Sequence, residues 1–257
     1  MQISAVIITL NEEKKIEQCI RSLKNIADEI LVFDSFSTDN TVSIAKQLGA
    51  KVLQHKFEGY MQQKELATNA AQYDWIFSID ADEVVTERLE KSILQIKNGQ
   101  LEYTAYQVSR ITNYCGKWIK HCGWYPDKVT RLVDRTKGNW GGGSVHEHWV
   151  QNTTTPTGLL KGDLLHYSYD TISQHIIKID KFTELGARDA VAKGKDCSKL
   201  KVWLAPKWYF FTAYILQLGI LDGYYGYIIC KYSSFGKMIK YGKIRQYAKM
   251  KREGIPY

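Results

Sequence analysis

Asp80-Ala81-Asp82 sets two carboxylates one residue apart, directly after the apolar run 75–79. If the strand ends in a turn there, both side chains can reach one cation. Mg2+ and Mn2+ take oxygen ligands and leave coordination positions for water and phosphate oxygens. Such an ion neutralises charge developing on a departing nucleoside diphosphate. An exposed acidic turn capping the next helix is the competing explanation, and a D-x-D triplet alone favours it. Its place behind two earlier strand–acid junctions reverses that preference, because ligands of open parallel sheets sit at the carboxyl ends of strands.

Those junctions come from the elements around them. Residues 3–10 are a continuous β-branched apolar run, which suits a strand buried on both faces. Residues 11–23 place Ile16, Cys19, Ile20 and Leu23 on one helical face. A strand over 29–34 ends at Asp34, followed by capping residues 35–40, a helix over 41–48 closed by Gly49, and a strand over 51–55. A helix over 61–71, the strand ending at Asp80 and a helix over 86–98 complete an α/β alternation. Asn11, Asp34 and Asp80 can therefore face one crevice. A carboxylate such as Asp34 can accept from a ribose or a base edge, whereas Asp39 is explained as an N-cap. Further on, strands are expected over 105–111, 128–133 and 159–167, and a helix over 173–193. Arg131 suits either a diphosphate or anionic acceptor, or a salt bridge at the core edge. Trp124, Trp140 and Trp149 could stack on sugar faces.

The segments Ala5-Val6-Ile7-Ile8-Thr9-Leu10-Asn11-Glu12, Val32-Phe33-Asp34-Ser35-Phe36-Ser37-Thr38-Asp39-Asn40-Thr41 and Ile79-Asp80-Ala81-Asp82-Glu83 resemble the family 2 glycosyltransferases of GT-A fold. Adding Gly59-Tyr60, Gln63-Lys64, Asn69, Trp75, Trp140 and Val145-His146-Glu147, the pattern is similar to lipopolysaccharide core β-glucosyltransferases. The resemblance implies a Rossmann-like, mostly parallel sheet flanked by helices. It implies Thr9, Asn11 and Glu12 lining a nucleoside pocket and Asp34 on uracil or ribose. Asp80 would lie near ribose or diphosphate, Asp82 would ligate Mn2+ or Mg2+, and Lys64 would approach the nucleotide. His166 would join Asp80 and Asp82 as a metal ligand if it serves as the late histidine of some GT-A enzymes; a structural histidine is the other reading. The family usually ends its second strand in Asp-Asp-Gly-Ser, and here Phe36 stands where the glycine would be. Family members generally invert the anomeric centre, which needs a base for the acceptor hydroxyl. Glu147 is the candidate, with His146 a rival and Asp127 a weaker one.

The implied activity is inverting, metal-assisted transfer of a hexose, glucose by resemblance, from a UDP-sugar to a lipopolysaccharide-core or other lipid-linked glycan. A sugar-nucleotide nucleotidyltransferase is the alternative, but Thr9-Leu10-Asn11-Glu12-Glu13 lacks the glycine-rich basic loop that cradles a triphosphate. A non-catalytic membrane- or carbohydrate-binding protein would leave Asp34, Asp80 and Asp82 without a shared purpose.

Of 257 residues, 44% are hydrophobic and 24% charged, as in folded proteins, and there is room for one large domain plus an appendage. We assign residues 1–195 to the catalytic domain and 196–257 to a helical, aromatic and basic extension. No signal peptide is expected, since residues 1–10 have no basic flank or cleavage site. Five scattered cysteines fit a reduced, cytoplasmic chain, and Cys115, His121 and Cys122 match no zinc spacing. The net charge of +8 is concentrated after residue 192. Residues 208–230 are apolar but hold Asp222 and three glycines, which counts against a span. With the basic residues that follow, they suggest peripheral contact with anionic lipid on the inner face of the cytoplasmic membrane. Nucleic acid binding fits an apolar neighbour less well, and packing on the catalytic domain or in a dimer is the plainer alternative.

Overall fold

The computed structural model describes residues 1–142 and 147–256, which form two compact units. The first holds residues 1–111, 127–142 and 147–167, and the second holds 112–126 and 168–256. Residue 195, the boundary assigned from the sequence, lies inside the second.

In chain order the first unit begins β1 (Ile3–Thr9), α1 (Ile16–Leu23), β2 (Glu29–Asp34), α2 (Thr41–Gln47), β3 (Lys51–Gln54), α3 (Tyr60–Asn69) and β4 (Trp75–Asp80). It continues with β5 (Glu83–Val85), α4 (Glu87–Asn98) and β6 (Ala105–Tyr114), whose last residues belong to the second unit, as does β7 (Lys117–Ile119). Then come β8 (Asp127–Asp134), β9 (Gly138–Gly142), β10 (Glu147–Gln151) and β11 (Gly158–Tyr169). The expected α/β architecture is present. The sheet order is β3-β2-β1-β4-β8-β6-β11-β5, with parallel pairing from β3 to β4 and antiparallel pairing of β4 with β8, β8 with β6 and β11 with β5.

The apolar run of β1 is explained by cover on both faces. Ile3, Ala5 and Ile7 pack with Ile16, Cys19, Ile20 and Leu23 of α1 and with Leu89 and Ile93 of α4. Val6 joins Ala67 and Ala71 near α3 and the β9–β10 hairpin residues Trp140 and Trp149. Thr86 caps α4, accepting from Leu89 N–H at 3.3 Å, and also donates to the Asp163 carbonyl of β11 at 2.7 Å. Gly162 permits that approach: at φ +105, a Cβ there would lie 2.4 Å from the Leu89 nitrogen.

β5 was not expected. Three residues are too short to show a period of two, and the strand exists through pairing with β11, where His166 lies opposite Glu83.

In the second unit the end of β6 pairs with β7, Thr112 opposite Ile119. α5 (Ile172–Ala192), α6 (Lys199–Phe211) and α7 (Gly223–Arg252) follow. The apolar stretch 208–230 is broken by a π turn at Thr212–Leu216 and a 3-10 turn at Gly219–Asp222. No described helix is long and apolar enough to cross a membrane.

Candidate active site

The carboxyl ends of β1 and β2 are tied by short hydrogen bonds. Asn11, in the left-handed conformation at φ +55, accepts from Thr38 N–H at 2.8 Å and donates its own N–H to Ser37 Oγ at 2.8 Å. Glu12 N–H reaches Thr41 Oγ1 at 2.8 Å. Asp34 is fully buried; its carboxylate takes the Ser37 N–H at 2.9 Å, the Ser37 hydroxyl and the Gln54 amide at 3.0 Å. Asp34 thus shapes the turn carrying Ser35 and Phe36. Phe36 adopts φ +62, the left-handed geometry a glycine would supply, so the turn survives the replacement at some cost in backbone strain. Thr9 Oγ1 and Gln63 Oε1 are buried there without a partner among the described residues, and the Gln63 amide donates to Ser35 Oγ at 2.9 Å.

At the end of β4 the charges interlock. Arg131 of β8, 3% exposed, donates Nη2 to Asp80 Oδ2 at 2.8 Å and to Glu83 Oε1. Glu83 is fully buried, also accepts from Arg110 Nη1 at 3.0 Å, and takes the Asp80 N–H at 3.1 Å. Arg110 in turn holds Asp127 at 2.6 Å. Burial by itself pushes the Asp80 carboxyl upward in pKa. Lys64 and then Arg131 overcome it and hold that carboxyl well below the usual carboxylate range. For Arg131, burial works against the cation, but Glu83 and Asp80 raise its pKa above the ordinary value.

Lys64 of α3 is the third cation of the site, after Arg131 and Arg110. Its ammonium lies 2.9 Å from Glu147 Oε1 and 3.8 Å from Asp80 Oδ1, over the Trp140 ring at 5.1 Å. The structure therefore joins Lys64, Asp80, Arg131 and Glu147 from four separate elements. Asp82 stands on the other side of the turn, its Oδ2 3.3 Å from His166 Nε2, while its carbonyl accepts the Tyr167 N–H at 2.8 Å.

Asp82 and His166 supply an oxygen and a nitrogen donor side by side; the carboxylate suits Mn2+ or Mg2+, and the imidazole suits a transition ion such as Mn2+ better than Mg2+. His166 Nδ1 is buried without a partner among the described residues. No three His, Cys, Asp or Glu side chains among the described residues are arranged to hold a metal, Cys115, His121 and Cys122 included. Asp80 spends its carboxylate on Arg131 and Lys64. Trp140 and Trp149 are buried against each other at 5.7 Å, so their faces are used by the core. His146, the rival base, lies outside the described residues.

Sequence reasoning missed Glu83, Arg110 and Gln63 as members of the site. A buried acid needs hydrogen-bond donors or a cation, so Glu83 leading into the apolar Val84-Val85, with arginines at 110 and 131, was the available signal.

The sequence model described as Glycosyl transferase family 2 matches residues 4–152. A Rickettsia felis protein named as an uncharacterized glycosyltransferase is 33% identical over 254 residues, covering 95% of this chain and 90% of its own. The lipopolysaccharide core biosynthesis glycosyltransferase LpsC of Rhizobium meliloti is 30% identical over 225 residues, 83% of this chain and 81% of that protein. Among solved structures, Mycobacterium tuberculosis glucosyl-3-phosphoglycerate synthase with Mn2+, UDP and glucosyl-3-phosphoglycerate is 25% identical, with a TM-score of 0.37 over 44% of each chain. An overlap that partial carries no argument about donor or metal.

Proposed function

The chain belongs to glycosyl transferase family 2 and is a glycosyltransferase, and from that premise we propose that it moves a hexose, glucose by likeness, from a UDP-sugar to a lipopolysaccharide-core or other lipid-linked glycan with inversion. The observation that carries this reading is the Lys64 bridge between Glu147 at 2.9 Å and Asp80 at 3.8 Å. It sets a candidate base beside the carboxylates at the strand end, where nucleotide ligands of such sheets bind.

Glu147 takes the proton of the acceptor hydroxyl as its oxygen attacks the anomeric carbon and the bond to the diphosphate breaks. Lys64 then stands beside both the base and the departing phosphates, so its charge stabilises the leaving group. Arg131 and Glu83 act behind Asp80, holding its carboxylate in one orientation. Thr9, Asn11, Glu12 and the turn shaped by Asp34 receive the nucleoside, and the buried Thr9 Oγ1 and Gln63 Oε1 offer it hydrogen-bonding capacity. Asp82 and His166 would hold Mn2+ or Mg2+, which supplies charge neutralisation to the diphosphate. The name of LpsC supports the acceptor class. A lipid-linked acceptor accords with a peripheral position on anionic membrane at the cytoplasmic face, which the basic C-terminal segment supports.

The test is UDP release from a panel of UDP-sugars, with Mn2+ or EDTA, by wild type and Asp82→Asn. Metal-dependent release from one sugar, lost in the variant, supports the reading. Absence of both UDP release and UDP binding with every sugar of the panel would sink it.

A further inference from the structure

Within the second unit, α6 and α7 form an antiparallel hairpin. Ser234 Oγ donates to the Pro206 carbonyl at 2.8 Å, Lys231 Nζ lies 4.7 Å over the Phe210 ring, and Tyr214 meets Tyr227 at 5.9 Å. The three pairs are centred on Ile220 and Leu221, which are therefore at the tip.

The two ends of this hairpin differ in charge. Far from the tip, Lys243 pairs with Asp180 at 2.9 Å and Glu184 at 3.2 Å, and Arg252 pairs with Asp196 at 2.6 Å. The hairpin itself carries no exposed acid between Lys199 and Arg252. Asp222 is the one acid between Lys199 and Arg252, and it is buried, accepting from the His121 N–H at 2.8 Å. Lys207, Lys231 and Lys237 lie over the rings of Trp203, Phe210 and Tyr209 rather than against carboxylates.

Apart from Gln217 and the buried Gly219, the tip is apolar and exposed. Leu216 and Leu221 are 61% and 62% exposed, with Leu218 and Ile220 near half and Tyr224 at 66%. Leu218 is held at φ +56, a left-handed conformation that a bulky side chain seldom takes. Folding thus spends both strain and solvent exposure on presenting this surface. Lys231 stands eight residues into α7, about 12 Å of helix back from the tip.

An apolar cap, a belt of Tyr and Trp, and a lysine layer set back by about 12 Å repeat the order of acyl chain, interface and phosphate in a lipid leaflet. We propose that the tip, Leu216 to Leu221, inserts into an anionic leaflet, with Lys207 and Lys231 on the lipid phosphates. This deepens the membrane contact proposed above and rests on it. It specifies that contact as a hairpin entering end-on by its apolar tip.

The experiment is cosedimentation of the full chain with vesicles of phosphatidylcholine, alone or mixed with phosphatidylglycerol. We expect binding to the mixed vesicles, weakened roughly tenfold or more by Ile220→Ser with Leu221→Ser. Lys207→Gln with Lys231→Gln should remove the preference for phosphatidylglycerol. Lys249→Gln with Lys251→Gln, at the far end, should change little. UDP release without vesicles should be unchanged in the tip variant, which separates this proposal from the transferase reading. Wild type that ignores the mixed vesicles overturns it, as does loss of binding in the far-end variant with the tip variant intact. A wild-type dimer that the tip variant dissociates would overturn it too, by assigning the surface to a second copy.

Discussion

One nitrogen of Arg131, Nη2, serves both Asp80 at 2.8 Å and the fully buried Glu83. A single cation from β8 thereby ties the last residue of β4 to the first of β5 and fixes the turn between them. Asp82, on that turn, is held by this contact together with the Tyr167 N–H on its carbonyl at 2.8 Å.

Arg131→Met should therefore destabilise the protein by about 3 kcal/mol, because a buried carboxylate loses a cation. Arg110 remains on Glu83 and keeps the loss from being larger. Urea unfolding checks it; a change near zero would mean that the ion network does not hold the turn.

Glu147→Gln should lower the transfer rate by roughly 10²–10⁴-fold, the usual span for removal of a general base, while leaving UDP binding in place. Turnover and titration calorimetry on the same preparation distinguish a lost base from a lost binding site. Equal turnover in the variant would move the role to another group.

Asp82→Asn and His166→Gln should each weaken Mn2+-supported UDP binding by roughly tenfold or more, with little effect in EDTA. Calorimetry with and without the metal reads this directly. If only Asp80→Asn had that effect, the ion would belong on the other carboxylate.

His175, 3% exposed with Nδ1 3.0 Å from Tyr114 Oη, is pushed down to about 4 by burial and then by Lys178. The unfolded imidazole binds its proton near 6.5, so between pH 6.5 and 4 the unfolded chain takes up more protons. Stability from this residue is complete above pH 6.5 and falls by about 3 kcal/mol in total as pH drops to 4. Unfolding midpoints across that window should slope in wild type and lie flatter in His175→Phe; parallel slopes would refute the assignment.

Much of the site is legible in the sequence alone. The continuous apolar run before Asn11 and the run before Asp80 could only be buried strands, and each ended at the residue later found at the carboxyl edge of the sheet. The helix face of Ile16, Cys19, Ile20 and Leu23 was equally plain from its spacing. Phe36 could be flagged as an anomaly but not resolved, because whether a bulky residue accepts a left-handed turn depends on how firmly Asp34 and Ser37 hold it.

By itself the sequence determined the α/β alternation, the family and the strand-end carboxylates, since these follow from periodicity and from residues adjacent in the chain. Only the tertiary structure decided which charges meet. Lys64 and Glu147 are 83 residues apart in sequence, as Arg131 and Asp80 are 51 apart. Pairing at such separations depends on sheet order and strand register, which no local pattern encodes. The same holds for the basic C-terminal segment: its charge was visible as a sum, but the acids of α5 neutralise one end of the hairpin and leave the other bare.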